Sequence, residues 1–164
     1  MQRFKNWLRH IGAAIVLAGA IVGAEILLEQ PMGLFSGSRP SDLGFNAGKF
    51  KPCSWKPNCV SSTAPKDDTK HFIEPVKLSG APEAGWKKLK DLLASNPSVK
   101  IVTNQPAYIH AEFKSAAMGF VDDTEFALDT GAQVIHVRSG SRLGVRDFDV
   151  NRKRIESIRA QLAK

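Results

Sequence analysis

Three stretches in the C-terminal half alternate apolar and polar residues with period two: Ala107 to Ser115, Phe120 to Asp129 and Gln133 to Arg142. Alternation of this kind sends successive side chains to opposite faces of a strand. The connections between the stretches leave room only for tight turns, so they predict an antiparallel meander with one apolar face. Centring the first turn on Ala117-Met118 sets Ile109 opposite Phe126 and His110 opposite Glu125. Centring the second on Thr130-Gly131, a two-residue loop of the Gly-rich kind, sets Glu125 opposite His136 and Asp123 opposite Arg138. One face then collects Ile109, Ala111, Phe113, Phe126, Leu128, Ile135 and Val137. A one-residue slip in either register would scatter that set over both faces.

The flanking segments supply layers for that face. His71 to Leu78 and Ser98 to Asn104 read as strands. Between them Pro82 opens an amphipathic helix to Leu93, with Trp86, Leu89, Leu92 and Leu93 at helical spacing. Asp149 is placed to cap a last helix, Val150 to Ala163, with Ile155, Ile158 and Leu162 on one side. The order β-α-β-β-β-β-α predicts an α+β domain over residues 71–164, an antiparallel sheet of about five strands with two helices on one face.

Residues 29–70 have a different character. Five prolines and four glycines interrupt any period, which predicts an extended linker or wrapping arm and no second domain. Within it Cys53 and Cys59 bracket SWKPN. Pairing is the common fate of neighbouring cysteines in an oxidising compartment. A metal site is disfavoured because the gap of five residues is not the usual two to four and no third ligand is adjacent.

The N-terminus points to such a compartment. Arg3, Lys5 and Arg9 precede an apolar run from Ile11 that Glu25 interrupts and that resumes to Leu28. A basic head before an apolar run is an export signal. Its length reaches the lower limit for a spanning helix of roughly 17–25 residues, so residues 1–28 read as a signal anchor. This puts the folded domain on the periplasmic side of the inner membrane. Cleavage after the small residues Val22-Gly23-Ala24, releasing a periplasmic domain, is the alternative. Without residues 1–24 the formal charge falls from +7 to +4, 20 bases against 16 acids. That bias is too mild to indicate nucleic acid, although the stretch from Arg138 to Lys164 is basic enough to approach an anionic membrane.

Two constellations carry potential chemistry. The polar sheet face holds one row of His110, Glu125 and His136 and another of Glu112, Asp123 and Arg138. A carboxylate between imidazoles can hold a metal or tune an acid and base, while an ion-pair ladder is the ordinary content of such a face. Glu112 opposite Asp123 is a like-charge pair that needs a bridging cation. The second constellation runs through Arg138, Ser139, Ser141 and Arg142 to Asn151 and Arg154. Guanidinium groups and hydroxyls leading into a helix N-terminus can receive an anion. No phosphate-loop or dinucleotide fingerprint and no nucleophile elbow is present, so no cofactor and no catalytic residue is assigned.

PNCVSS at 57–62, YIHAEFKS at 108–115, GFVDDTEF at 119–126, HVRSGSRLGVRD at 136–147 and NRKRIESIR at 151–159 together resemble the family catalogued as domain of unknown function 1499. The resemblance spans about residues 50–160. It implies an exported or membrane-tethered bacterial domain with plastid relatives, and no established activity or site. It directs attention to Asp122, Asp123, Arg138, Ser139, Ser141, Arg142, Asn151 and Arg154. The reading that follows is a tethered envelope domain, non-enzymatic, that binds an anionic ligand, a lipid headgroup or an envelope protein. The competing reading is a metal-assisted hydrolase built on His110, Glu125 and His136.

Overall fold

The structure is a computed structural model that describes residues 35–164. The signal or anchor segment expected at residues 1–28 lies outside them. Among the described residues no helix is long and apolar enough to cross a membrane.

The arm makes a small hairpin of β1 (Phe45–Asn46) and β2 (Lys49–Phe50), turned through Ala47 and Gly48 at φ 49° and 77°. The disulfide Cys53–Cys59 closes the loop that leads into β3 (Cys59–Ser61). Of the strand expected over 71–78 only β4 (Val76–Lys77) forms. Helix α1 (Pro82–Ala94) begins with proline in its first turn, where a missing N–H costs nothing. The meander follows as β5 (Val99–Asn104), β6 (Tyr108–Lys114), β7 (Val121–Asp129) and β8 (Val134–Ser141), and α2 (Val150–Leu162) ends the fold. Strand order is β3-β8-β7-β6-β5, with β4 also on β8, and every pairing between these strands is antiparallel. The result is an α+β domain with two helices and a six-stranded sheet, β3 being the strand the arm contributes.

The β6–β7 register is the expected one, with Ile109 opposite Phe126 and His110 opposite Glu125. The β7–β8 register differs by two residues: Glu125 faces Arg138, Asp123 faces Gly140, and His136 faces Ala127. The cause lies in the turn. Asp129 pairs with Val134, leaving four loop residues instead of two. The Asp129 carboxylate accepts the Ala132 N–H at 2.8 Å, and Gln133 adopts φ 54° to re-enter the strand. A shift of two keeps every side chain on its expected face and changes only its neighbours.

Trp86, Leu89 and Leu93 of α1 and Ile155 and Ile158 of α2 cover Ile109, Ala111, Phe126, Ile135 and Val137 in one core. Each large aliphatic or aromatic side chain buried this way contributes roughly 1.5–3 kcal/mol. The N-terminus of α2 departs from expectation. Asp149 occupies the cap position at φ 64° and makes no side-chain cap bond. The Asp147 carboxylate accepts the Asn151 N–H at 2.9 Å in its place.

Candidate functional site

Alternation along β8 divides the RSGSR segment between the two faces of the sheet. Arg138 and Arg142 point to the face away from the helices, while Ser139 and Ser141 point toward α2. The six residues proposed from sequence as one anion site are therefore two separate groups.

On the helix side, Asn151 is fully buried and links three segments. Its Oδ1 accepts from Ser139 Oγ at 2.7 Å and Arg154 Nη1 at 2.6 Å. Its Nδ2 donates to the Asn58 carbonyl, Ser141 Oγ and Asp147 Oδ2 at 3.1, 2.9 and 2.8 Å. Arg154 also pairs with Asp122 and lies over the Phe113 ring, 4.7 Å from its centroid. Arg152, Lys153 and Arg154 lie in the first turns of α2, where cations oppose the helix dipole; of these, Arg154 is offset by reaching across to a β7 carboxylate.

The opposite face is not an open polar surface. The arm crosses it, and His110, Asp123, Glu125 and Arg138 are all buried. Burial of this second face follows from the arm's own backbone and side chains. Glu125, with 0% exposure, accepts from the Gly44 N–H at 2.7 Å, from the Tyr108 hydroxyl at 2.8 Å and from Arg138 Nη1 at 3.1 Å. Arg138 Nε donates to the Lys51 carbonyl at 2.9 Å. Arg142 supplies the bridging cation that the like-charge pair requires. It is bidentate to Asp123 at 2.8 Å and also reaches Glu112, which receives Arg39 Nε at 2.6 Å from the arm. Three guanidinium groups thus meet three carboxylates, and the face is close to neutral.

The electrostatics follow from that pairing. Burial alone would raise the carboxyl pKa values of Asp123 and Glu112. For Asp123, Arg142 and His110 outweigh it, and for Glu112, Arg39 and Arg142 do, so both lie below their ordinary values. Arg142 is held still more firmly protonated by Asp123 and Glu112 against the opposing effect of burial. The Tyr108 phenol is pushed up by burial and by the Glu125 charge, so it stays a donor. A depressed folded-state carboxyl contributes stability that is present above its unfolded pKa and lost as pH falls through the folded one. Stability is therefore expected to hold from neutrality down to the ordinary carboxyl values of 4.5 and 3.8 and to fall below them. Urea midpoints measured across that range check this; a decline beginning near neutrality would contradict it.

His136 does not join His110 and Glu125. It stacks on Phe45 with centroids 5.4 Å apart, with Nδ1 3.3 Å from Ser62 Oγ. The His-Glu-His row expected from sequence therefore does not form, because of the two-residue register shift. Among the described residues no three His, Cys, Asp or Glu side chains are grouped to hold a metal ion.

Sequence reasoning missed the concavity on this face. A cleft of about 440 Å³ lies where residues 39–46 of the arm pass β5 and β6. Arg39, Ser41, Asn46, Thr103, Gln105, Tyr108 and His110 contribute its polar side chains, and no acidic residue lines it. His110 Nε2 is 2.8 Å from Asp123 Oδ1. Ionised Asp123 only accepts, so the hydrogen between them sits on Nε2 and Nδ1 takes no part in this bond. Among the described residues Nδ1 has no hydrogen-bond partner, which leaves it for whatever enters the cleft. The only signal in the sequence was the position of Arg39 in an arm without period, and nothing local connects it to His110.

Residues 49–162 match the family described as "Protein of unknown function (DUF1499)". No curated protein matches the sequence. The match covers well over half of the chain, so this protein belongs to that family.

Proposed function

We propose, with membership of the DUF1499 family as the premise, that the chain is an exported, membrane-tethered envelope domain that binds a small hydroxylated anion without transforming it. The observation that carries this reading is the cleft between arm and sheet, lined by Arg39, hydroxyls, amides and a histidine but by no carboxylate. Arg39, whose Nε is held by Glu112, still offers its terminal N–H groups to an acidic group, and His110 Nδ1 can bond a hydroxyl, while the arginines of the RSGSR segment serve the fold. The basic N-terminal head and apolar run support export, and a disulfide is the expected state of Cys53 and Cys59 in that compartment.

Native mass spectrometry of the oxidised full chain in detergent tests the reading. A bound anion is expected in the wild type and lost both in Arg39→Ala, which removes the cation, and in Thr103→Trp, which fills the cleft. A wild type as empty as the Thr103→Trp variant would defeat it.

A further inference from the structure

The loop that joins β8 to α2 is turned inside out. In most surface loops polar groups face water and apolar ones turn inward. Here Leu143, Val145, Phe148 and Val150 are all exposed, Phe148 to 83%. Part of the loop's polar content points into the protein: Asn58 Nδ2 donates to the Gly144 carbonyl at 3.0 Å, and Asp147 accepts from Asn151, 2.9 Å from its backbone N–H and 2.8 Å from its side-chain amide, while Arg146 and Asp149 are exposed. Phe148 and Asp149 both take positive φ, 54° and 64°, conformations that persist in non-glycine residues only when neighbours enforce them. The apolar side chains are therefore held outward. Arg146 and Lys153 are exposed beside them, and among the described residues neither is in an ion pair.

The position of the loop is as informative as its chemistry. Gly37 packs on the side chains of Arg142 and Leu143, close enough that a Cβ there would meet Arg142 Cβ at 2.9 Å. The Phe35 ring packs tilted against Phe120, centroids 5.2 Å apart, and the Ser36 carbonyl lies 3.5 Å from Arg142 Nη1. The described chain thus starts beside the loop. Only residues 29–34 separate Phe35 from the end of the apolar run at Leu28. A fully extended chain covers at most about 3.3–3.6 Å per residue, so a tethered domain keeps this end within roughly 25 Å of the bilayer.

We propose that Leu143–Val150 docks on the bilayer surface: Val145 and Phe148 enter the interface, and Arg146 and Lys153 meet anionic headgroups. Exposed aromatic and aliphatic side chains flanked by bases are the composition of interfacial segments, and each base near such a surface changes binding about five-fold. The inference rests on the tethering reading above and adds the orientation of the domain.

Both cysteines are paired, so Phe148→Cys in the full chain offers a single thiol for a spin label. The labelled chain is reconstituted in phosphatidylcholine vesicles with or without phosphatidylglycerol. Thr130→Cys, exposed at the other end of β8, is the reference. The label at 148 is expected to collide with oxygen in preference to a water-soluble nickel chelate when phosphatidylglycerol is present. Arg146→Gln and Lys153→Gln are each expected to reduce that preference about five-fold. The label at 130 stays aqueous. A label at 148 that is aqueous in both lipids, or immobilised without oxygen preference as at a protein contact, overturns docking while tethering stands if alkaline washing leaves the chain in the vesicles. Release by that wash overturns tethering and docking together.

Discussion

Replacing Arg142 by methionine is expected to destabilise the domain by about 3–5 kcal/mol, the cost of removing one partner from a buried ion cluster. The side chain is 4% exposed and is bonded to both Asp123 and Glu112. Without it two carboxylates on adjacent strands face each other, Asp123 keeping only His110 and Glu112 keeping only Arg39 from the arm. Total stabilities of domains this size are roughly 5–15 kcal/mol, so the variant would lose a large part of its margin. Its stability should also stop falling at acid pH, because protonating Asp123 or Glu112 now relieves repulsion. Urea denaturation at neutral and acid pH measures both effects. A loss near zero at neutral pH would show that the cluster is not closed by Arg142.

The second large effect is expected at Asn151. Leucine has the same branched outline, a somewhat larger volume and none of the polar atoms. Asn151→Leu removes at once the five hydrogen bonds that the amide makes to Ser139, Arg154, Asn58, Ser141 and Asp147, in the group that joins α2 to β8 and the arm. Arg154 Nη1 keeps Ser139 Oγ and the Asn58 carbonyl keeps the Ser141 N–H, so the cost is that of lost bonds, about 0.5–1.5 kcal/mol each, and a total of about 3 kcal/mol is expected. Asn151→Asp should also destabilise at neutral pH, through repulsion from Asp147, and recover in acid. A loss below about 1 kcal/mol for the leucine variant, against the cost expected for five lost hydrogen bonds, would mean that the network rearranges freely.

What the sequence reveals of this fold, and what it hides, divides along physical lines. Parity is local: one apolar residue in two is enough to assign Ile109, Phe126 and Val137 to the core face, and that assignment is independent of loop length as long as the loop changes by two. The identity of cross-strand neighbours is not local. It depended on whether Thr130-Gly131 formed the whole turn, and the Asp129 carboxylate with Gln133 at positive φ made it longer. That single difference moved Arg138 opposite Glu125 and took His136 away from the row. The helices were legible from Trp86, Leu89, Ile155 and Ile158, whereas the capping role went to Asp147 because its carboxylate, not that of Asp149, reaches the Asn151 N–H. The arm was legible as extended and otherwise opaque. Its partners are backbone groups of Gly44 and Lys51 and the Arg39 guanidinium, and neither a carbonyl nor an isolated arginine announces what it will meet.

The sequence distance between arm and sheet has a consequence for how the protein is made. Arg39 meets Glu112 across 73 residues, Gly44 meets Glu125 across 81, Lys51 meets Arg138 across 87 and Ser36 meets Arg142 across 106. Chains are synthesised from the N-terminus, so the segment that must close over the charged face exists long before that face does. Its docking cannot be completed until Arg138 of β8 and Arg142 just beyond it have been added. Contacts of such long span slow folding, because loop closure must precede any return from them. During that interval Asp123 and Glu125, on β7, face water on a half-built sheet. Charge that is buried in the finished domain is thus surface charge in its unfinished form.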